Sequence, residues 1–167
     1  MTKLVWAFLL LSSIWGYGQS VSNSRSEAEY YLAAYANHYG VPLDFARAVV
    51  EQESSWQVCA ISSKGAAGIM QLMPGTAARL GVRNRCNLQQ NISGGIRYLA
   101  WLMNKFHGEL RLVAAAYYAG ERVVEGRGLA YGNRDVVTYV ASIRQRVEVQ
   151  RRVSSAKENH VPWSKQR

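Results

Sequence analysis

Apolar residues along this chain recur mostly at helical spacing. Tyr31, Leu32, Tyr35 and Tyr39 lie three and four apart behind Ser26-Glu-Ala-Glu29, which reads as a capping box, and Gly40 closes the segment. Pro42 suits the first turn of a second helix, predicted from Leu43 to about Ser54. Residues 57–72 hold serine and glycine with only a weak period, so an ordered loop with at most a small hairpin is expected. Pro74 to Leu80 reads as a short helix closed by Gly81. Asn87-Leu-Gln-Gln90 is another capping signature and opens a long amphipathic helix through Phe106, with Ile92, Ile96, Leu99, Leu102 and Met103 among its apolar positions. Leu110 to Ala119 predicts a further apolar helix, and Gly120 to Asn133 a glycine-bearing loop. A last helix is expected from Asp135 to about Val149, with Val136, Val140, Ile143 and Val147 on one face. The pattern describes a mainly α protein.

The N-terminus follows a different rule. A cationic start, Met1-Thr-Lys3, precedes eleven apolar or small residues from Leu4 to Ile14 and the small-x-small pattern Gly16-Tyr17-Gly18. This is the layout of a secretory signal peptide, and it is shorter than the roughly 20 residues of a membrane span. Residues 1–18 are therefore expected to be cleaved near Gly18, placing the mature chain in the periplasm. In an oxidising compartment Cys59 and Cys86, the only two cysteines, can bridge only each other.

With 167 residues, the chain has room for one core, expected over residues 26–150, followed by a basic tail at 151–167. Twenty Lys and Arg against eleven Asp and Glu give a net charge of +9, which favours polyanionic partners: nucleic acid, anionic lipid or cell-wall polymer. His38, His107 and His160 are scattered and offer no metal-ligand spacing, so neither a metal nor a cofactor is expected.

One acid is oddly placed. Phe45, Val49 and Glu53 are successive i, i+4 neighbours, so Glu53 ends an apolar stripe, while Glu51 lies elsewhere with Arg47 four residues back as an ordinary ion-pair partner. A desolvated carboxyl keeps its proton near neutral pH, the property of a general acid. The same pattern also suits a carboxylate that simply reaches water at a helix end. No second acid can be placed beside it. Ser62 to Pro74 is rich in glycine around Gln71, either a sugar-gripping loop or a structural connector. Tyr117 and Tyr118 point in different directions from one helix, and at such spacing tyrosines are often core.

Together these segments resemble the soluble-lytic-transglycosylase (SLT) domain, a goose-lysozyme-like family that cleaves bacterial peptidoglycan. Glu53-Ser54-Ser55-Trp56 resembles the family's E-S-x-[FW]. Gly65-Ala-Ala-Gly68-Ile-Met-Gln71-Leu-Met-Pro74-Gly-Thr76-Ala resembles G-A-x-G-L-M-Q-x-M-P-x-T-A, and Tyr117-Tyr118-Ala-Gly120 resembles Y-N-A-G. The match covers about residues 41–140. It implies a single lysozyme-like helical domain with Glu53 as the acid/base. It implies also that Ser62, Gln71 and Met73 contact the sugar and its acetamido group, and that Tyr117 hydrogen-bonds near the catalytic carboxyl. Tyr139-Val140 matches the end of the family's E-T-x-x-Y-V, which adds Tyr139 to the substrate-binding residues that the resemblance implies. Tyr118 stands where the family usually has asparagine, and Asp135-Val136 where it has Glu-Thr.

The implied reaction cleaves the bond between N-acetylmuramic acid and N-acetylglucosamine and closes a 1,6-anhydro ring, with one glutamate acting as acid and then base. Two rival readings remain: a lysozyme-type hydrolase, and a non-catalytic wall-binding protein whose cleft Tyr118 blocks. Expected partners are peptidoglycan glycan strands and components of an envelope-spanning secretion, conjugation or pilus apparatus, which the short mature chain's resemblance to specialised transglycosylases suggests. Nucleic acid is not expected, since the chain shows an export signal and no recognition motif. A monomer is expected.

Overall fold

Ala28, Leu32 and Ala36, one residue in every four, form a buried stripe along the first helix, α1 (residues 24–39). The computed structural model describes residues 24–128 and 133–159; the expected signal peptide and the end of the basic tail lie outside them. Helix α1 is already running at residue 24, so Ser26-Glu29 does not open it. The Glu29 carboxylate instead accepts from Arg47 Nε at 2.9 Å. This leaves Glu51 without its expected partner on the same helix, and its nearest cation is Arg146 at 4.0 Å. An ion pair between helices replaces the i, i+4 pair that spacing suggested.

Pro42 is the N-cap of α2 (Leu43–Ser54), its φ of −56° already suited to a helix entry. Phe45, Ala46, Ala48, Val49 and Val50 bury the face of α2 that meets α7 (Arg134–Asn159) and the rest of the core. Helix α3 (Pro74–Arg79) is short, and α4 (Leu88–Lys105) starts where the Asn87 side chain accepts from the Gln90 backbone N–H at 2.9 Å. Ile92, Ile96, Leu99 and Leu102 of α4 are fully buried, each worth roughly 1.5–3 kcal/mol of apolar transfer. Helix α5 (Leu110–Ala119) packs between α4 and α7.

Two expectations change. The segment after Gly120 is not all loop: it forms α6 (Glu121–Arg127), which packs on α5 through buried Val124. Glycines at 126 and 128 weakened that prediction, but tertiary packing outweighs a propensity cost of about 1 kcal/mol per glycine. Helix α7 also continues past Val149 to Asn159. Among the described residues no strand forms. Residues 57–72 fold as a loop with isolated antiparallel bridges Ile61–Ala67 and Ala67–Leu72. Among the described residues the fold is mainly helical, as the periodicity predicted. Among the described residues, no helix is long and apolar enough to cross a membrane.

Candidate active site

Glu53 sits in the last turn of α2, partly buried, with its Oε1 accepting a 2.5 Å hydrogen bond from the Tyr139 hydroxyl of α7. Burial raises the carboxyl from its ordinary 4.5 to about 7, and the Tyr139 bond opposes that rise only in part. No second acid is among the groups that shift it. Glu53 therefore exchanges its proton near neutral pH. Tyr139 is held by a stack on Tyr118, ring centres 4.7 Å apart, and burial and the adjacent Glu53 push its hydroxyl well above its ordinary value. Tyr139 thus donates and does not ionise.

The chain turns sharply after α2. Ser55 and Trp56 both take positive φ, 49° and 68°, a conformation uncommon for residues with a Cβ. Two contacts hold the turn: Ser54 Oγ donates to the Ile69 carbonyl at 2.8 Å, and Trp56 is buried with the Arg25 guanidinium 4.7 Å from its ring. The Cys59–Cys86 disulfide then ties the start of the loop to the approach of α4.

A single buried side chain organises that loop. Asn91 of α4 accepts from the Met70 N–H at 2.8 Å and donates to the carbonyls of Ala67 at 3.0 Å and Arg85 at 2.8 Å. Gly68 lies against it at a φ of +87°, and a Cβ there would stand 2.1 Å from Asn91 Nδ2. Gly95 leaves room for Met70, whose sulfur would be 2.3 Å from an added Cβ. Arg85 Nη1 donates to the carbonyls of Gly65 and Leu72. Gly68 and Gly95 are there because backbone and side chains approach too closely for anything larger, whereas Gly65 has open space around it and is required by its φ of +84°.

The expected sugar-contact residues fall into different situations. Gln71, itself at positive φ, spends its amide N–H groups on the carbonyls of Ala60 and Gly68 at 2.8 and 2.9 Å, so its function as a double-ended grip is reduced to the Oε1 acceptor. Ser62 Oγ accepts from the Ala66 N–H and closes the turn around Gly65. Met73 is 45% exposed at the start of α3. Tyr117 donates to the Met70 carbonyl at 2.8 Å, so the residue bonded to the carboxyl is Tyr139; Tyr117 is close enough for the Glu53 charge to raise it. Asp135 lies in the first turn of α7 and is exposed, while Val136 is buried.

Asn91 and Arg85 were not anticipated. Asn91 carried the same signal as Glu53: it stands four residues before Gly95 and eight before Leu99, a polar residue on an apolar stripe. Arg85 left no such mark.

The transglycosylase SLT domain model matches residues 30–136, most of the chain and all of this site except Arg25 and Tyr139. The chain belongs to that family. Among its relatives, a putative soluble lytic murein transglycosylase of Haemophilus influenzae is 34% identical over 144 residues, 80% of this chain and 24% of that protein. The soluble lytic murein transglycosylase of Escherichia coli is 34% identical over 120 residues, 65% of this chain and 19% of that protein. The SLT domain thus spans a quarter or less of these relatives' length. Its fold is similar to an inactive variant of the lytic transglycosylase Slt from Pseudomonas aeruginosa, at a TM-score of 0.67 and 24% identity over 76% of this chain and 24% of that one.

Among the described residues of this SLT domain, no cluster of three His, Cys, Asp or Glu side chains is placed to hold a metal ion.

Proposed function

We propose that this SLT domain is a peptidoglycan lytic transglycosylase, with Glu53 as its single acid and base. The observation that carries the reading is the partly buried Glu53 carboxyl, raised to about 7 and held by Tyr139 without a second acid acting on it. In the protonated form it gives its proton to the oxygen linking N-acetylmuramic acid to N-acetylglucosamine, and the C1–O bond breaks with that oxygen leaving as a hydroxyl. The substrate's own acetamido group supports the anomeric carbon, the part a second carboxylate takes in most glycosidases. Glu53, now a carboxylate, removes the proton of the C6 hydroxyl as its oxygen bonds to C1. The 1,6-anhydro ring closes, the carboxyl is protonated again, and no water is consumed.

Tyr139 positions the carboxyl throughout. The exposed thioether of Met73 and the Gln71 Oε1 acceptor are assigned to the sugar ring and its acetamido N–H, with Ser62 bordering the same loop. The positive charge of the chain suits an anionic wall, and the N-terminal export pattern supports a periplasmic reaction. There the domain would open the wall locally for an envelope-spanning apparatus.

Mass spectrometry of digested peptidoglycan tests the reading. Anhydro products, lighter by one water than hydrolysed ones, are expected from the wild type and none from Glu53→Gln. Hydrolysed products would make the protein a lysozyme-type hydrolase. No product from either protein would leave a wall-binding function only.

A further inference from the structure

Tyr117 packs its ring against an aromatic neighbour on α4. Its ring centre lies 5.5 Å from that of Tyr98 on α4, and Tyr98 lies 5.9 Å from Trp101, one turn further along, with planes only 13° apart. Tyr98 is buried and fixed: its hydroxyl donates to Glu121 Oε2 of α6 at 3.1 Å. Trp101 is not buried; 44% of it is exposed. Arg79, at the end of α3, sets its guanidinium 6.0 Å from the Tyr98 ring centre and pairs with Glu121 at 3.4 Å. The Lys105 ammonium lies 5.2 Å from the Trp101 ring. Arg79, Leu80, Tyr98 and Trp101 line a slot of about 180 Å³.

The slot's chemistry narrows what it takes. At this volume it holds one small ring, since pockets for drug-sized ligands begin at about 300 Å³. The half-exposed Trp101 ring carries negative potential on its face, which draws the weakly positive C–H face of a saturated sugar ring as it draws a cation. The Arg79 guanidinium adds N–H donors at the edge, where a pyranose carries its hydroxyls. Continuity decides the source of the ring. Tyr117 feels the charge of Glu53 and its ring packs against Tyr98, which lines the slot, so one tyrosine links the neighbourhood of the acid to the slot.

We infer that Tyr98, Trp101 and Arg79 form a distal saccharide subsite that holds a pyranose of the same glycan strand cleaved at Glu53. The inference rests on the peptidoglycan reading and adds to it a strand-length preference. Short fragments fill only the groove at Glu53, whereas long strands also stack on Trp101.

The test is calorimetric titration of full-length E53Q, with and without W101A or W101F, using peptide-free wall oligosaccharides of two and eight sugars. W101A is expected to weaken octasaccharide binding about five- to tenfold and disaccharide binding less than twofold, with W101F within about twofold of the parent. The melting temperature of each variant checks that the half-exposed substitution leaves the fold intact. An equal effect of W101A on both lengths, or none on the octasaccharide, overturns the subsite; a slot built for a protein partner gives the latter. Length-dependent loss in E53Q together with no anhydro product from the wild type keeps the subsite and defeats the lyase reading. Product release without any oligosaccharide binding by E53Q defeats the subsite alone, and absence of both defeats the two together.

Discussion

The two sides of the Glu53 site are built on opposite principles. The loop from Gln57 to Met73 buries Ile69, Met70 and Leu72, but its irregular backbone is held in place by polar cross-links: Asn91, Arg85, the Gln71 amide and the Cys59–Cys86 bridge. The facing wall, α5 and α7, places Tyr117 and Tyr139 by apolar packing of Val113, Ala114, Val136 and Ile143, and each tyrosine makes one hydrogen bond outward. A polar frame fixes direction sharply but fails when one partner is lost, because the groups left behind are buried and unpaired. An apolar wall tolerates loss of a polar tip and responds instead to volume. The difference predicts where substitution is fatal and where it merely retunes the acid.

Asn91→Leu should have the largest effect. It leaves the Met70 N–H and the Arg85 carbonyl without their partner, while the Ala67 carbonyl keeps only the Leu72 N–H, which together costs about 3–5 kcal/mol, read by denaturant titration. A loss below about 1 kcal/mol would show that the loop does not depend on its polar frame. Reduction of Cys59–Cys86 comes next, releasing a closed loop worth roughly 3–4 kcal/mol. An unchanged melting temperature in reductant would contradict it.

Glu53→Gln probes the place where the two sides meet. Between the ordinary value of 4.5 and about 7, the folded chain holds a proton that the unfolded chain has released. Stability therefore falls as pH rises through that window, by about 3 kcal/mol once above it. Glutamine carries no such charge. The variant should match the wild type in stability below pH 4.5 and exceed it above pH 7, while losing the proposed lyase activity. A constant difference across that range would mean that Glu53 is solvated in the folded protein.

The smallest effect belongs to the wall. Tyr139→Phe removes the one hydrogen bond that favours the Glu53 carboxylate, so the alkaline limb of kcat/KM should move upward from about 7, with roughly a tenfold loss of activity. The phenyl ring still stacks on Tyr118, and stability should change by only about 1 kcal/mol. A downward shift of the limb would show that the tyrosine favours the acid instead.

Much of this was legible in the order of residues. Helices α2, α4 and α5 follow their apolar periods to within a residue or two, because each buries one continuous stripe and carries its own stop in Ser55, Phe106 or Gly120. Glu53 stood out for a related reason: a carboxyl that continues an apolar stripe has little access to water. The disulfide followed from a count of two cysteines together with the export pattern at the N-terminus. Helix α6 was hidden, because its seven residues bury little more than Val124 and rely on α5 for support.

What the chain's order determined by itself is therefore local: helical stripes, caps, and an acid placed at the edge of the core. Three choices came only from the tertiary structure. Tyr139, 86 residues from Glu53, holds its carboxyl in preference to Tyr117; Asn91 frames the loop across 21 residues; and Tyr98 with Trp101 extends the aromatic wall past Tyr117. Spacing along one helix says which side chains share a face. Which hydroxyl on a distant helix reaches a given carboxyl depends on how the helices pack, and that geometry is set by the whole core.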